Sequence, residues 1–211
     1  MSIKERLRPL KKVLRGCYWK VRRAISPPKL PANADGRVMI HLGCGPINAQ
    51  GYTNVDAQPF PHIHFVHAAY QLEIINSESV DLIYASHILE HFSWHETLKV
   101  LKEWRRVLKP GGILRLGVPD FPTLLQIYQD TCDLNKIYGP LMGGQYDSLN
   151  IHYAVFDQIS LSEMLRTVGF REIQKWNPET VDNHDFHDTT SKVLTIKGRD
   201  YAISLNLEAK K

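Results

Sequence analysis

The sequence predicts a doubly wound α/β fold, a largely parallel sheet with helices between its strands, preceded by a basic amphipathic helix. Three observations predict it. From Arg37 onward, short apolar runs alternate with segments of helical period. The first of these runs stops abruptly at Gly43-Cys44-Gly45. Charge is divided along the chain: the first 29 residues hold ten basic residues against one acidic, a net +9, and the remainder holds 16 basic and 21 acidic, a net −5. At 211 residues, 43% hydrophobic and 23% charged, the chain can bury one sizeable core and is neither disordered nor fibrous. Its acidic body does not suit a nucleic-acid-binding domain. Three scattered cysteines exclude a disulfide framework or thiolate zinc site, and the absence of a long apolar run or signal-like segment points to the cytosol.

The elements follow in order. Residues 1–34 form a unit of their own: from Pro9, apolar residues recur at Leu10, Val13, Leu14, Cys17, Tyr18, Val21 and Ile25, and Ser26-Pro27-Pro28 ends this helix. Three roles are open to it: packing on its own domain, docking residues 1–29 on an anionic membrane surface, or contacting nucleic acid, the last least favoured. Residues 35–211 form the main domain. Val38–Leu42, Tyr52–Val55, Ile63–Val66 and Val80–Ala85 read as the first four strands. A capping box, Ser93 and Glu96, opens a helix with Leu98, Leu101, Trp104, Val107 and Leu108 inward, and Pro110-Gly111-Gly112 closes it. Ile113–Val118 is the fifth strand, and Pro122 opens a helix toward Tyr128. After the glycine-rich stretch 139–144, a second capping box at Ser160 and Glu163 precedes a helix closed by Gly169. Glu172–Trp176 and Ala202–Leu207 are the last two strands, separated by the His/Asp-rich loop 177–190.

A strand that ends in G-x-G lets backbone approach a ligand, and Asp56 at the end of the next strand can accept both hydroxyls of a ribose. An adenine nucleoside suits this pair. A dinucleotide does not, because position 48 is Asn and Asp56 follows Gly45 too closely, so a nicotinamide oxidoreductase is disfavoured.

Four segments, His41-Leu-Gly-Cys-Gly-Pro, Asn54-Val-Asp56, Val80-Asp-Leu-Ile-Tyr-Ala-Ser-His-Ile-Leu-Glu-His91 and Glu103-Trp-Arg-Arg-Val-Leu-Lys-Pro-Gly-Gly112, resemble in their order the class I S-adenosylmethionine-dependent methyltransferases. The resemblance spans roughly Arg37 to Ala209. It implies a Rossmann-like seven-stranded sheet with a C-terminal antiparallel strand, and S-adenosylmethionine as cofactor. The nearest likeness is to a small branch with a shortened first helix, associated with bacterial polysaccharide and lipopolysaccharide gene sets. It implies that His41 is among the cofactor-binding residues, that Gly43, Cys44 and Gly45 wrap the methionine and sulfonium end, that Asp56 holds the ribose, and that Ser86 and His87 line the site beyond the fourth strand. Where relatives place an acid for the adenine amine this chain has Ala68, which leaves the backbone of Ala68 and Ala69 for that task.

The reading is therefore an enzyme that methylates oxygen on a small-molecule or glycan acceptor, with a cofactor-binding protein without turnover as the alternative. A hydroxyl acceptor must lose its proton, and His91, Asp120 and His152 rank equally as the base. Loop 184–188, His-Asp-Phe-His-Asp, has the ligand types for a divalent ion but no established spacing, and no metal site is assigned. The glycine-rich stretch, His152 and loop 177–190 are expected to form the lid and far wall of the acceptor pocket.

Overall fold

A computed structural model describes residues 14, 16–22, 24–26 and 28–211. Of the expected N-terminal helix, residues 9–13, 15 and 23 lie outside the described residues; the described residues from Leu14 to Ile25 are helical. Leu14, Tyr18, Val21 and Ile25 on that helix are exposed, and Trp19 packs on Phe60 with 4.8 Å between ring centroids.

Seven strands form one sheet: β1 (Met39–Leu42), β2 (Tyr52–Asp56), β3 (Phe65–Val66), β4 (Val80–Ser86), β5 (Leu108–Pro119), β6 (Arg171–Lys175) and β9 (Ser204–Lys210). Their order is β3-β2-β1-β4-β5-β9-β6, with β9 antiparallel to both neighbours and the other pairs parallel. A second sheet, the hairpin β7 (Val193–Ile196) and β8 (Arg199–Ala202), turns at Lys197 and Gly198, both with positive φ. Such a turn matches the right-handed twist of the paired strands. The sequence reading ran one strand through Ala202–Leu207, but the chain passes from one sheet to the other at Ile203.

The central strands are buried on both faces, and alternation assigns each face its partners. Ile40, Leu42, Ile83, Ala85, Leu114 and Leu116 pack with α1 (Thr97–Val107) and α4 (Gln158–Thr167) in the main core. On the other face, Met39, Tyr52, Leu82 and Tyr84 pack with Trp176, Val181 and Phe186. That second face is roofed by the largely irregular segment 177–191, where a doubly wound fold places helices. The connections 43–51 and 57–64, broken by Gly43, Gly45, Pro46, Gly51, Pro59 and Pro61, fold as turns and loop. A third cluster joins α2 (Phe121–Thr131) and Ile137, just before α3 (Tyr138–Met142), to the hairpin.

Both expected capping boxes move. Ser93 Oγ donates to Glu96 Oε2 at 2.6 Å, so the hydroxyl is spent on the carboxylate and α1 starts at Thr97. The second box is formed one turn early by Asp157 and Ser160, because Asp157 accepts from Ser160 N at 2.7 Å.

Candidate active site at the carboxyl edge of the sheet

Gly43 and Gly45 follow β1 with φ of 61° and 54°, the left-handed region that a glycine enters freely. A Cβ on Gly43 would lie 2.7 Å from Ile88 Cδ1, so the turn after β4 packs directly on this glycine. A Cβ on Gly45 would meet nothing within 4 Å, which leaves backbone open to a ligand. Asp56 closes the turn: Oδ2 accepts from Gly45 N at 2.8 Å and Oδ1 from Gln58 N at 2.7 Å. Each carboxylate oxygen keeps a second lone pair, as two ribose hydroxyls require. Burial pushes the Asp56 carboxyl up from its ordinary value, and the two N–H groups oppose the rise. The residues thus fit a nucleoside. Burial pushes the Cys44 thiol up as well, which suits packing and not nucleophilic chemistry.

Sequence reasoning missed His62. Its Nε2 donates to Gly45 O at 3.1 Å, it lies 4.0 Å from Cys44 Sγ, and its ring stacks on Phe60. The loop that carries it has no periodic pattern, so only the fold brings it back to the glycine turn. Ala68 O and Ala69 O are already committed, the first to Gln71 N at 3.2 Å and the second to the Trp104 indole at 2.7 Å. Each carbonyl keeps a second lone pair, so the backbone of Ala68 and Ala69 can still serve the adenine amine.

His41 lies apart from this group. Its ring is buried on the roofed face among Tyr52, Tyr84 and Phe186, and burial holds its pKa at about 3. Strand alternation puts it there: Ile40 and Leu42 face the helices, so His41 must face the roof. Ser86 also points to the roofed face, toward Asp188.

Beyond β4 the chain makes a 3-10 turn, Leu89–His91, and gathers a second cluster. His87 has φ of 49°, a strained value for a non-glycine residue. Its Nδ1 lies 3.2 Å from Glu90 Oε1 and its Nε2 2.7 Å from Ser204 Oγ. Glu90 is wholly buried. His152 Nε2 lies 3.8 Å from Glu90 Oε1, and the His91 and His152 rings meet edge to face at 4.8 Å. Burial favours the neutral form of Glu90, but His87 and the charges of His91 and His152 outweigh it and hold the carboxyl below its ordinary value. Burial also lowers the His152 pKa. Of the three expected bases the fold brings His91 and His152 together. Asp120 is outside that cluster, directly past β5 at the N-cap of α2, where Oδ2 accepts from Thr123 Oγ1. Glu90, the centre of the cluster, gave no sequence signal beyond its place in the His87-to-His91 motif.

The expected acceptor wall divides. Gly143 and Gly144 do pack on the His152 segment, but as close contacts and not as hinges: a Cβ on Gly143 would come within 2.5 Å of Asn150 O and 3.0 Å of His152 Cδ2. Loop 177–190 is on the roofed face. His184 Nε2 lies 3.0 Å from Tyr84 Oη, Asp188 accepts from Tyr84, and Phe186 fills the aromatic cluster. Those residues hold the roof down; they do not line the His152 side. A cavity of about 370 Å³ beside His184 and Asp185 opens near Met39 and Gly51, which begin β1 and precede β2 and so mark the opposite edge of the sheet.

Residues 47–116 match the family described as methyltransferase domain. No curated protein matches the sequence. Solved structures match in fold. An S-adenosylmethionine-dependent methyltransferase from Archaeoglobus fulgidus is 16% identical with a TM-score of 0.55, covering 97% of this chain and 94% of its own. One from Thermotoga maritima is 16% identical with a TM-score of 0.51, over 98% and 97%. The 1,6-didemethyltoxoflavin-N1-methyltransferase of Burkholderia thailandensis, solved with its substrate and S-adenosylhomocysteine, is 16% identical with a TM-score of 0.51, over 92% and 76%. This strand order is the fold of those solved S-adenosylmethionine-dependent methyltransferases, and residues 47–116, about a third of the chain, match the methyltransferase-domain family.

Proposed function

We propose that the protein transfers the methyl group of S-adenosylmethionine to a hydroxyl oxygen of a small polar or glycan acceptor. The observation that carries the acceptor class is the Glu90–His91–His152 cluster, two residues past the Ile88 that packs on Gly43. When bound, the cofactor supplies a methyl on a sulfonium that is already a good leaving group. Gly43, Cys44 and Gly45 would cradle its methionine end and Asp56 its ribose. The chain's remaining work is to orient an acceptor, exclude water and remove a proton, which a hydroxyl needs and the cluster's imidazoles can serve.

Exposed rings of Tyr138, Tyr146 and Tyr153 flank the segment that carries His152. They offer flat apolar faces with polar tips, on which the C–H face of a sugar ring packs. Assay against hydroxyl-bearing sugars and matched amines, with mass detection of the methylated product, tests the reading. An O-methyl ether is expected, and His91→Ala and His152→Ala should retain S-adenosylhomocysteine affinity while losing turnover. Methylation of the amines alone, or wild-type turnover in both variants, refutes it.

A further inference from the structure

We propose that Glu90, His91 and His152 form a binding site for one divalent transition-metal ion beside the cofactor turn. The proposal of a site stands on geometry alone; its use in catalysis rests on the O-methylation reading above.

Hydrogen-bond polarity is the core of it. His91 Nδ1 lies 3.0 Å from Ile151 O, and His152 Nδ1 lies 2.9 Å from Pro140 O. A carbonyl can only accept, so each Nδ1 donates, which leaves Nε2 as the nitrogen that each ring can offer to a metal. Ser204 Oγ already donates to Thr189 O at 2.8 Å, so His87 Nε2 donates to Ser204, while its Nδ1 faces Glu90 Oε1 at 3.2 Å. Between them sits Glu90, with no exposed surface and no hydrogen bond to either carboxylate oxygen, although His87 Nδ1 comes within 3.2 Å. The imidazoles of His87 and His152 approach Oε1 and Oε2 accepts no hydrogen bond, so the burial of this carboxylate is only partly compensated. A cation bound among these donors would complete the compensation.

The site has the form of known metal centres at the level of donor chemistry. Two imidazoles and one carboxylate suit Zn²⁺, Mn²⁺ or Fe²⁺ in preference to Mg²⁺ or Ca²⁺, and three protein ligands leave a position open. Both ligating rings donate their other nitrogen to a backbone carbonyl, the outer contact that fixes a metal ligand's orientation. The donor atoms of Glu90, His91 and His152 lie within 4.8 Å of one another. Bonds of about 2.1 Å would bring them to roughly 3.4 Å apart, so the side chains close by about an ångström on binding. The backbone needs no change, because Glu90 O is already clamped by Tyr153 N at 2.8 Å and Ala154 N at 3.3 Å.

With the ion bound, His91 and His152 serve as ligands in place of the base role given them above, and an acceptor hydroxyl at the open position would bind through oxygen and lose its proton to solvent more readily. That oxygen then forms the bond to the methyl carbon as the S–C bond breaks and its electron pair returns to sulfur.

The test uses the full chain, stripped with chelator and free of cofactor. Co²⁺ is titrated while visible absorption is followed, and Zn²⁺ binding is measured by calorimetry. One ion per chain is expected, with affinity at least about tenfold weaker in His91→Ala and in His152→Ala. Binding should be unchanged in His95→Ala and His187→Ala, whose rings are exposed. Glu90→Gln should abolish binding; since it alters a buried charge, the two histidine variants carry the decision if it does not fold. Zn²⁺ should also raise the melting temperature of the wild type and not of the histidine variants. Absence of saturable binding, or binding unmoved in both variants, overturns the site. S-adenosylhomocysteine affinity is measured separately: its persistence without metal binding overturns the metal site alone, and its loss in the wild type overturns the methyltransferase reading.

Discussion

Asp56 ties two strands and a ligand together, because the carboxylate that would hold the ribose also fixes the amide of the glycine turn. Asp56→Ala therefore removes two ribose hydrogen bonds to a charged group and loosens Gly45. A loss on the order of 1.5–3 kcal/mol per bond is expected in calorimetry with S-adenosylhomocysteine, and unchanged affinity would contradict the assignment. His41 gives a second prediction at this scale. Its pKa falls from 6.5 to about 3, chiefly by burial, with nearby Asp188 opposing and His184 and His62 adding to the fall. The unfolded chain takes up the proton first, so stability is complete above pH 6.5 and declines as pH drops toward 3. Between pH 6.5 and 5 the decline should be about 2 kcal/mol by urea denaturation, and His41→Leu should flatten it. An equally steep decline in the variant would assign the acid sensitivity to other groups.

Elements explain how far the sequence could be read. Strands buried on both faces announce themselves as apolar runs, so β1, β2, β4 and β5 were legible, as was the glycine turn that ends β1. The hairpin was not, because Val193–Ile196 and Arg199–Ala202 alternate over only four residues each and the Lys197-Gly198 turn is a weak signal. Capping boxes were placed a turn off because Ser, Asp and Glu compete locally for the same amides. The base candidates His91 and His152 meet through the clamp of Tyr153 N on Glu90 O and the His91 contact to Ile151 O, long-range contacts that no local pattern encodes. Gly143 is part of that clamp's support, with φ of 74° and Asn150 O against the position a Cβ would take. Gly143→Ala should cost roughly 1–3 kcal/mol and displace the His152 ring. Turnover should fall while cofactor affinity stays; an unchanged melting curve and unchanged turnover would show that the contact is slack.

Across the whole molecule, the charge division acquires a location. Lys20 and Arg22 share the N-terminal helix with the exposed Leu14, Tyr18, Val21 and Ile25, and no helix among the described residues is long and apolar enough to cross a membrane. We propose that this helix docks on anionic lipid, with apolar side chains inserted and basic ones on headgroups. Co-sedimentation of the full chain with anionic vesicles should fall with salt and be lost in a chain starting at Pro28, which retains the Lys29 carbonyl contact to His64. Equal sedimentation of the two chains would rule the helix out as an anchor.

The roof over the second face is held by side chains of the sheet and by the packing of Phe186, not by a backbone ladder. Tyr84 grips His184, Asp188 and Thr190, Tyr52 donates to Asn183 O at 2.7 Å, and Arg115 donates to Asp182 O at 2.6 Å. Such a cover can lift as one unit while the strands beneath stay paired, so its detachment is a subglobal opening with its own free energy. Amides of 177–191 should then exchange with deuterium well before those of β4 and β5, and a protease should nick this stretch first. Tyr84→Phe, which deletes one latch for three partners, should speed both. Acid should do the same, because protonating His41 beneath Phe186 places a charge in a buried aromatic cluster where nearby Asp188 offsets it only in part, and the molecule would come apart from this face while the cofactor edge still holds its shape.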